Sequence, residues 1–331
     1  MVGEQRTPEA RTRLYRRGEL VGENFPVEQV SEYLAEPDTV VWVDLCAPAD
    51  ATVDLVADEL GLHDLAVADA VATLQRPKLD RYANHDFLNV YAVKLDRVTG
   101  RLALAELSAF ITPQALVTVR KDPAFDIDGV VERWDQTPEL AGHGVGFLLH
   151  GLLDHVVDGH FEVVQSLDEE IEKLEDLLFD EGSRSTDVQR RSFELRKSLV
   201  TLRRVVLPMR EVVNSLMRRD LKVVSEPMVP YFQDVYDHVL RATEWTESLR
   251  DLVTTVLETN LTIQGNRLNV ITKKVTSWAA IIAVPTAITG FYGQNLPYPG
   301  FARQSGFLVS SLLIVGMSLG LYITFRRKDW L

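Results

Sequence analysis

The sequence has a single cysteine, Cys46, among 331 residues. A disulfide within the chain and a site built from several thiolates are both excluded. Basic residues are also in short supply, with 35 Lys and Arg against 48 Asp and Glu and a net charge of −13. Such a chain repels a phosphate backbone, so no nucleic acid is expected as a partner, and a cation is the natural one. The first twenty residues contain no apolar run. A secretory leader is therefore not expected, and the bulk of the chain is expected in the cytoplasm. No Ser/His/Asp or Cys/His arrangement stands out, and no enzyme is expected. Long uncharged stretches are missing throughout the chain before Val275.

Beyond that point there are two. Val275 to Tyr292 is 18 residues without a charge, and Phe307 to Phe325 is 19. Each is close to the roughly 20 residues that cross a ~30 Å hydrocarbon core. The mean hydropathy of the whole chain, −0.02, conceals them. They read as a hairpin through a lipid bilayer. Lys273 and Lys274 precede the first span, Arg326, Arg327 and Lys328 follow the second, and the linking loop carries only Arg303. The excess of positive charge on the inner side predicts both ends in the cytoplasm and the loop outside, in the cell membrane.

The rest of the chain has two characters. Up to about residue 150 it reads as mixed α/β, with strands expected at Thr39–Asp44, Phe87–Val93, Ala109–Thr112 and Ala115–Val119. Helices are expected at Ala51–Leu60 and His63–Leu74, with a hairpin turn at Gly100. From about Val145 long helices take over. Residues 154–181 hold eleven carboxylates against one Lys. A basic helix, Arg190–Arg219, follows and is expected to break at Pro208. Glu226–Pro230 is a breaker, after which Tyr231–Asn295 reads as one helix of roughly 98 Å. A helix of that length does not support itself alone in water, which predicts a bundle or an oligomer.

At alternating steps of three and four, the first span and its approach read Asn269, Thr272, Thr276, Ala279, Ala283, Thr286 and Gly290. All are small or polar and share one helical face. Two explanations fit: close helix packing, or the wall of a water-filled pore. Glu258, about three turns earlier, lies on roughly the same face, and Asn295 ends the span; amide and carboxylate oxygens suit a hard cation. Two weaker patterns are His150, Asp154, Asp158 and Glu162 at four-residue steps, read as an exposed polar helix face rather than a metal-facing set, and Gly142-x-Gly144-x-Gly146, read as a helix-start turn rather than a phosphate loop.

Tyr292-Gly293-Gln294-Asn295 resembles the Tyr-Gly-Met-Asn signature of the CorA family of divalent-cation channels. Leu207-Pro-Met-Arg-Glu-Val212 is similar to its Pro-Leu-Arg-Glu segment. Pro230-Tyr-Phe-Gln-Asp-Val-Tyr-Asp-His238 is similar to Tyr-Phe-Arg-Asp-Val-Tyr-Asp-His, and Asn266-Arg-Leu-Asn269 to Asn-Arg-Met-Asn. Gln75–Lys78 and Lys328–Leu331 also fit. The resemblance spans about residues 63–331.

It implies an α+β membrane protein with an N-terminal αβα cytoplasmic domain, a long helical stalk and two C-terminal transmembrane helices, assembled as a homopentamer. The layout is then 1–150 cytoplasmic α/β domain, 151–229 acidic and basic helices, 230–274 stalk and 275–295 pore-lining span. Residues 296–306 form the external loop, 307–325 the second span and 326–331 the basic tail. The function implied is Mg²⁺ influx gated by internal Mg²⁺. Gly293, Gln294 and Asn295 would form the selectivity signature, and Val275 a hydrophobic constriction among the pore-lining residues. Asp234 would be a regulatory Mg²⁺ ligand at a subunit boundary, with Asp96 as partner. Lys273, Lys274, Arg326, Arg327 and Lys328 would form basic rings. Gln294 replaces the signature methionine, and the loop Leu296–Gln304 lacks the family's frequent carboxylate. These departures keep Zn²⁺, Co²⁺ or Ni²⁺ open as the ion. A membrane-anchored oligomeric scaffold is the alternative outside transport.

Overall fold

The computed structural model describes residues 10–72, 75–96, 99–179, 185–218, 223–294, 297, 300–301 and 303–331. They form two compact units, one reaching Val256 and the other Leu257–Leu331.

The first unit is built on a sheet. Its elements run β1 (Ala10–Arg16), β2 (Glu19–Glu23), α1 (Val30–Leu34), β3 (Thr39–Cys46), α2 (Asp50–Leu60) and α3 (Asp64–Val71). Then come β4 (Lys78–Arg81), β5 (Asp86–Asp96), β6 (Arg101–Ile111), β7 (Ala115–Arg120) and α4 (Ile127–Gln136). Long helices follow: α5 (Val145–Phe179), α6 (Ser185–Leu216), α7 (Val229–Tyr292) and, in the second unit, α8 (Gln304–Arg327).

The strand order is β2-β1-β3-β7-β6-β5-β4. Only the β3–β7 pairing is parallel, and the other pairings are antiparallel. Alternation along β3 sends Trp42 to one face of the sheet and Val41, Val43 and Leu45 to the other. The Trp42 face packs on α4, α5, α6 and the start of α7, through residues such as Trp134, Leu152, Met209 and Phe232. The opposite face packs on α2 and α3 through Val56, Ala66 and Ala70. This is a three-layer αβα arrangement, as the family resemblance implies.

Phe232, Val235, Val239, Ala242, Thr246, Leu249, Val253 and Val256 of α7 are all buried. Their alternating steps of three and four put a continuous seam on one side of the helix. Asn260 is also buried, and after it the burial ends: Leu261, Leu268, Val270 and Ile271 are each at least half exposed.

The structure departs from the sequence reading in three places. β1, β2 and β4 are short and carry two or three charges each, so they are not expected as strands. In β1 the buried Leu14 and Tyr15 reach the two cores while Arg13 pairs with Glu23 and Asp135. Helix α6 passes through Pro208 without a break. A proline inside a helix costs about 3 kcal/mol. Burial of Val205, Val206, Met209, Val212 and Val213 on both sides of it outweighs that cost. Helix α3 ends at Val71 rather than 74. The turn at Gly100 is present, with φ +67°.

Candidate functional site

Both expected spans are helical, within α7 and α8, and almost none of either apolar stretch is buried inside the chain. Val275, Trp278, Ile282 and Phe291 on α7, and Phe307, Leu312 and Val315 on α8, are more than half exposed. Two long helices with this much bare apolar surface belong in hydrocarbon.

Within α7 the chain covers one side of the span. Ser277 is buried, and Ala280, Ile281, Val284, Pro285, Ile288 and Tyr292 are half-buried. At about 100° per residue these seven share a face. Asn269, Thr272, Val275, Thr276, Ala279, Ala283, Thr286 and Gly290 are all exposed. They occupy an arc of about 120° on the other side. Glu258 is exposed and falls in the same arc. The small and polar stripe is therefore not the surface that packs within the hairpin. That observation removes packing inside one chain as its explanation.

The Thr286 hydroxyl of the stripe has a definite polarity. Thr286 donates to the Ile282 carbonyl at 3.0 Å. Beside the stripe, Thr289 donates to Pro285 at 2.8 Å, and lower on α7 Thr262 donates to Glu258 at 3.0 Å. Each hydroxyl hydrogen is used on its own helix, and the oxygen lone pairs remain to accept.

Helix α7 ends at Tyr292, and Gly293 N–H donates to Thr289 O at 2.8 Å. A Cβ on Gly293 would stand 2.9 Å from that oxygen, too close without a shift of the turn. The glycine is thus required by the way the helix ends. Gln294 is exposed just beyond, its N–H on Phe291 O at 3.3 Å. Asn295 lies outside the described residues. Lys273 and Lys274 on α7, and Arg326, Arg327 and Lys328 at the end of α8, are all exposed.

The expected regulatory residues sit in the first unit. Asp234 is on the exposed side of α7, between the buried Phe232 and Val235. Asp96 ends β5, where its carboxylate accepts from Thr99 N at 3.3 Å and Thr99 Oγ1 at 2.6 Å. Among the described residues neither belongs to a group of three or more candidate ligands.

A different cluster forms instead. Asp154 and Asp158 of α5 and His238 of α7 offer ligand atoms within 4.8 Å of one another, the one such group among the described residues. The four-residue spacing of the two aspartates was visible in the sequence; His238, eighty residues away, had no signal linking it to them. A cation already serves the carboxylates: Arg133 of α4 binds Asp154 and reaches Asp158 at 2.5 Å. His238 Nδ1 is 3.8 Å from Asp158, with its ring stacked on Phe161. His150 and His155 flank the cluster, and burial lowers the pKa of both. Gly144 caps the 3₁₀ turn Pro138–His143 and leads into α5, so the glycine pattern there is a helix start.

A family profile described as "CorA-like Mg2+ transporter protein" matches residues 37–327. The putative metal ion transporter YfjQ of Bacillus subtilis is 29% identical, over 93% of this chain and 94% of that protein. The cobalt/magnesium transport protein CorA of Thermotoga maritima is 27% identical, over 93% and 91%. The zinc transport protein ZntB of Yersinia pseudotuberculosis is 22% identical, over 77% of each chain. Among solved structures, the CorA magnesium transporter of Methanocaldococcus jannaschii superposes with a TM-score of 0.78 at 22% identity, covering 98% of this chain and 99% of that one. The profile match over most of the chain, the shared layout and the two apolar helices together make this chain a member of the CorA family of divalent-cation transporters.

Proposed function

We propose that the chain is a passive Mg²⁺ channel of the cell membrane, built from five copies and gated by internal Mg²⁺. The observation that carries the reading is the exposed stripe from Asn269 to Gly290, turned away from the covered side of α7. In a lone hairpin these groups would face lipid. In a ring of copies they face a shared axis, where water and a hydrated ion take the place of lipid. The length of α7 from Gly265 to Thr276 is exposed on all sides and supports the ring, because such a helix does not persist in water by itself.

Gln294 and Asn295 would receive the ion at the outer end, with both termini cytoplasmic and Lys273, Lys274, Arg326, Arg327 and Lys328 at the inner face. Asp234, exposed on α7, would meet a neighbouring copy. Its hard oxygens suit Mg²⁺, which would hold adjacent copies together when abundant and release them when scarce. Asp96 would join that site with its carboxylate already accepting from Thr99.

The test is ion flux in proteoliposomes, comparing the chain with its Asn295→Ala variant. Mg²⁺ influx lost on substitution supports the reading. Zn²⁺ flux without Mg²⁺ flux would favour the zinc alternative, which Gln294 and the kinship to a zinc transport protein support. No divalent flux at all would leave an oligomeric scaffold. Asp234→Ala should also weaken the protection that Mg²⁺ gives the first unit against protease; unchanged protection would remove Asp234 from gating.

A further inference from the structure

One face of α6 lines a charged groove in the first unit. A groove of about 380 Å³ lies between the start of β6 and one face of α6. Arg101 and Leu102 line it from the sheet, and Arg190, Phe193, Glu194 and Lys197 from the helix. Arg190, Phe193, Glu194 and Lys197 follow one another at steps of three, one and three, so they share a helical face. The two walls are tied together: Ser198 Oγ donates to the carbonyl of Gly100, the residue before Arg101, at 2.7 Å.

Three cations therefore converge on one groove in a chain whose net charge is −13. Among the described residues no ion pair engages Arg101, Arg190 or Lys197. Their neighbours Arg191 and Arg203 are engaged, by Glu170 and Glu247. Phe193 is 61% exposed beside them. Unpaired cations call for an anion of several charges, and a bare phenyl ring calls for a flat face to stack on. Glu194 adds a carboxylate that accepts N–H bonds.

We propose that this groove binds a free nucleoside polyphosphate: phosphates on Arg101, Arg190 and Lys197, the base on Phe193, and Glu194 accepting from the base's amino group. A nucleic acid strand carries the same chemistry, but a net charge of −13 repels a long polyanion much more than a short one.

The test is equilibrium binding of adenosine triphosphate to the full chain in detergent, without divalent ions. Tripolyphosphate, adenosine and a short single-stranded oligonucleotide serve as separate arms. Adenosine triphosphate should bind about tenfold tighter than tripolyphosphate, and Phe193→Ala should remove that advantage, as loss of one base-stacking contact would. The double variant Arg190→Glu/Lys197→Glu should abolish binding of both phosphates while the far-ultraviolet dichroism stays unchanged. The proposal is overturned by absence of saturable binding, by equal binding of tripolyphosphate and the nucleotide, by tighter binding of the oligonucleotide, or by retained binding in the double variant.

Discussion

Lowering the pH should destabilise the first unit through one side chain, His160. It is fully buried on α5, and its Nε2–H donates to the carbonyl of Tyr91 in the middle of β5 at 2.7 Å. Burial penalises the imidazolium and pushes the pKa of His160 down from 6.5 to about 4. The unfolded chain therefore binds the proton first. The stability held by the neutral ring is complete above about pH 6.5 and is lost as the pH falls toward 4. At about pH 5 the loss is roughly 2 kcal/mol, and near pH 4 it is about 3. For a unit of this size, 2 kcal/mol lowers the melting temperature by roughly 4–8 °C. His150 and His155 also have pKa values lowered by burial and add to the wild-type slope in the same direction. The clean measurement is a difference. His160→Gln keeps an N–H donor for Tyr91 but cannot titrate. Unfolding followed by dichroism between about pH 7.5 and 5 should give the variant a shallower loss, by about 2 kcal/mol at the acid end. Equal slopes for the two proteins would refute the argument.

Three other outcomes follow from geometry. Gly293→Ala should displace the turn that ends α7, because its Cβ would crowd Thr289 O; flux should fall with no change in melting temperature, and unaltered flux would count against the tight turn. Ala283→Leu, on the exposed stripe, should cut flux at least about tenfold by narrowing the proposed path, whereas Ile281→Leu on the covered side should change it less than about twofold; equal effects would sink the assignment of faces. Arg120→Met should cost about 3–5 kcal/mol in denaturant unfolding, because it strands the carboxylate of Asp44, which Arg120 meets at 2.6 Å with both side chains at most 2% exposed; a loss below about 1 kcal/mol would mean that Asp44 had found water.

The membrane part was the most legible in the sequence. Lipid imposes two plain demands, about 20 uncharged residues per span and polar groups confined to one side, and both are written in consecutive residues. The first unit was half legible. β3 and β7 are covered on both faces and read as unbroken β-formers, so they were found. β1, β2 and β4 are short or charged, and β1 is tied by Arg11 to Asp128 and by Arg13 to Asp135, far along the chain, contacts of which local pattern carries no trace. The break expected at Pro208 ignored what surrounds it, since propensity yields to burial when both flanks of a proline are in the core. His238 joined Asp154 and Asp158 by tertiary packing of α7 on α5, which no spacing rule encodes. Conversely, the stripe on α7 was visible but ambiguous. Only the burial of its opposite side separated a surface that packs within the chain from one that does not.

That separation also bears on the sign of the ion. A pore for anions needs donors along its wall, and a pore for cations needs acceptors. Threonine supplies both in principle, and its role is decided by where its hydrogen goes. Thr286 gives its hydrogen to Ile282 of the same helix, which leaves only lone pairs to point away from it. Asn269 adds an amide oxygen and Glu258 a carboxylate, and no Lys or Arg stands between Val275 and Tyr292. A ring of such helices would present oxygen after oxygen and no fixed positive charge along the span. A divalent cation that keeps its waters is held well by that lining, because each water turns its hydrogens outward toward the acceptors while its oxygen stays on the metal. An anion would orient the same waters the other way and, apart from the Asn269 amide N–H groups, would face the Thr286 and Glu258 oxygens as acceptors.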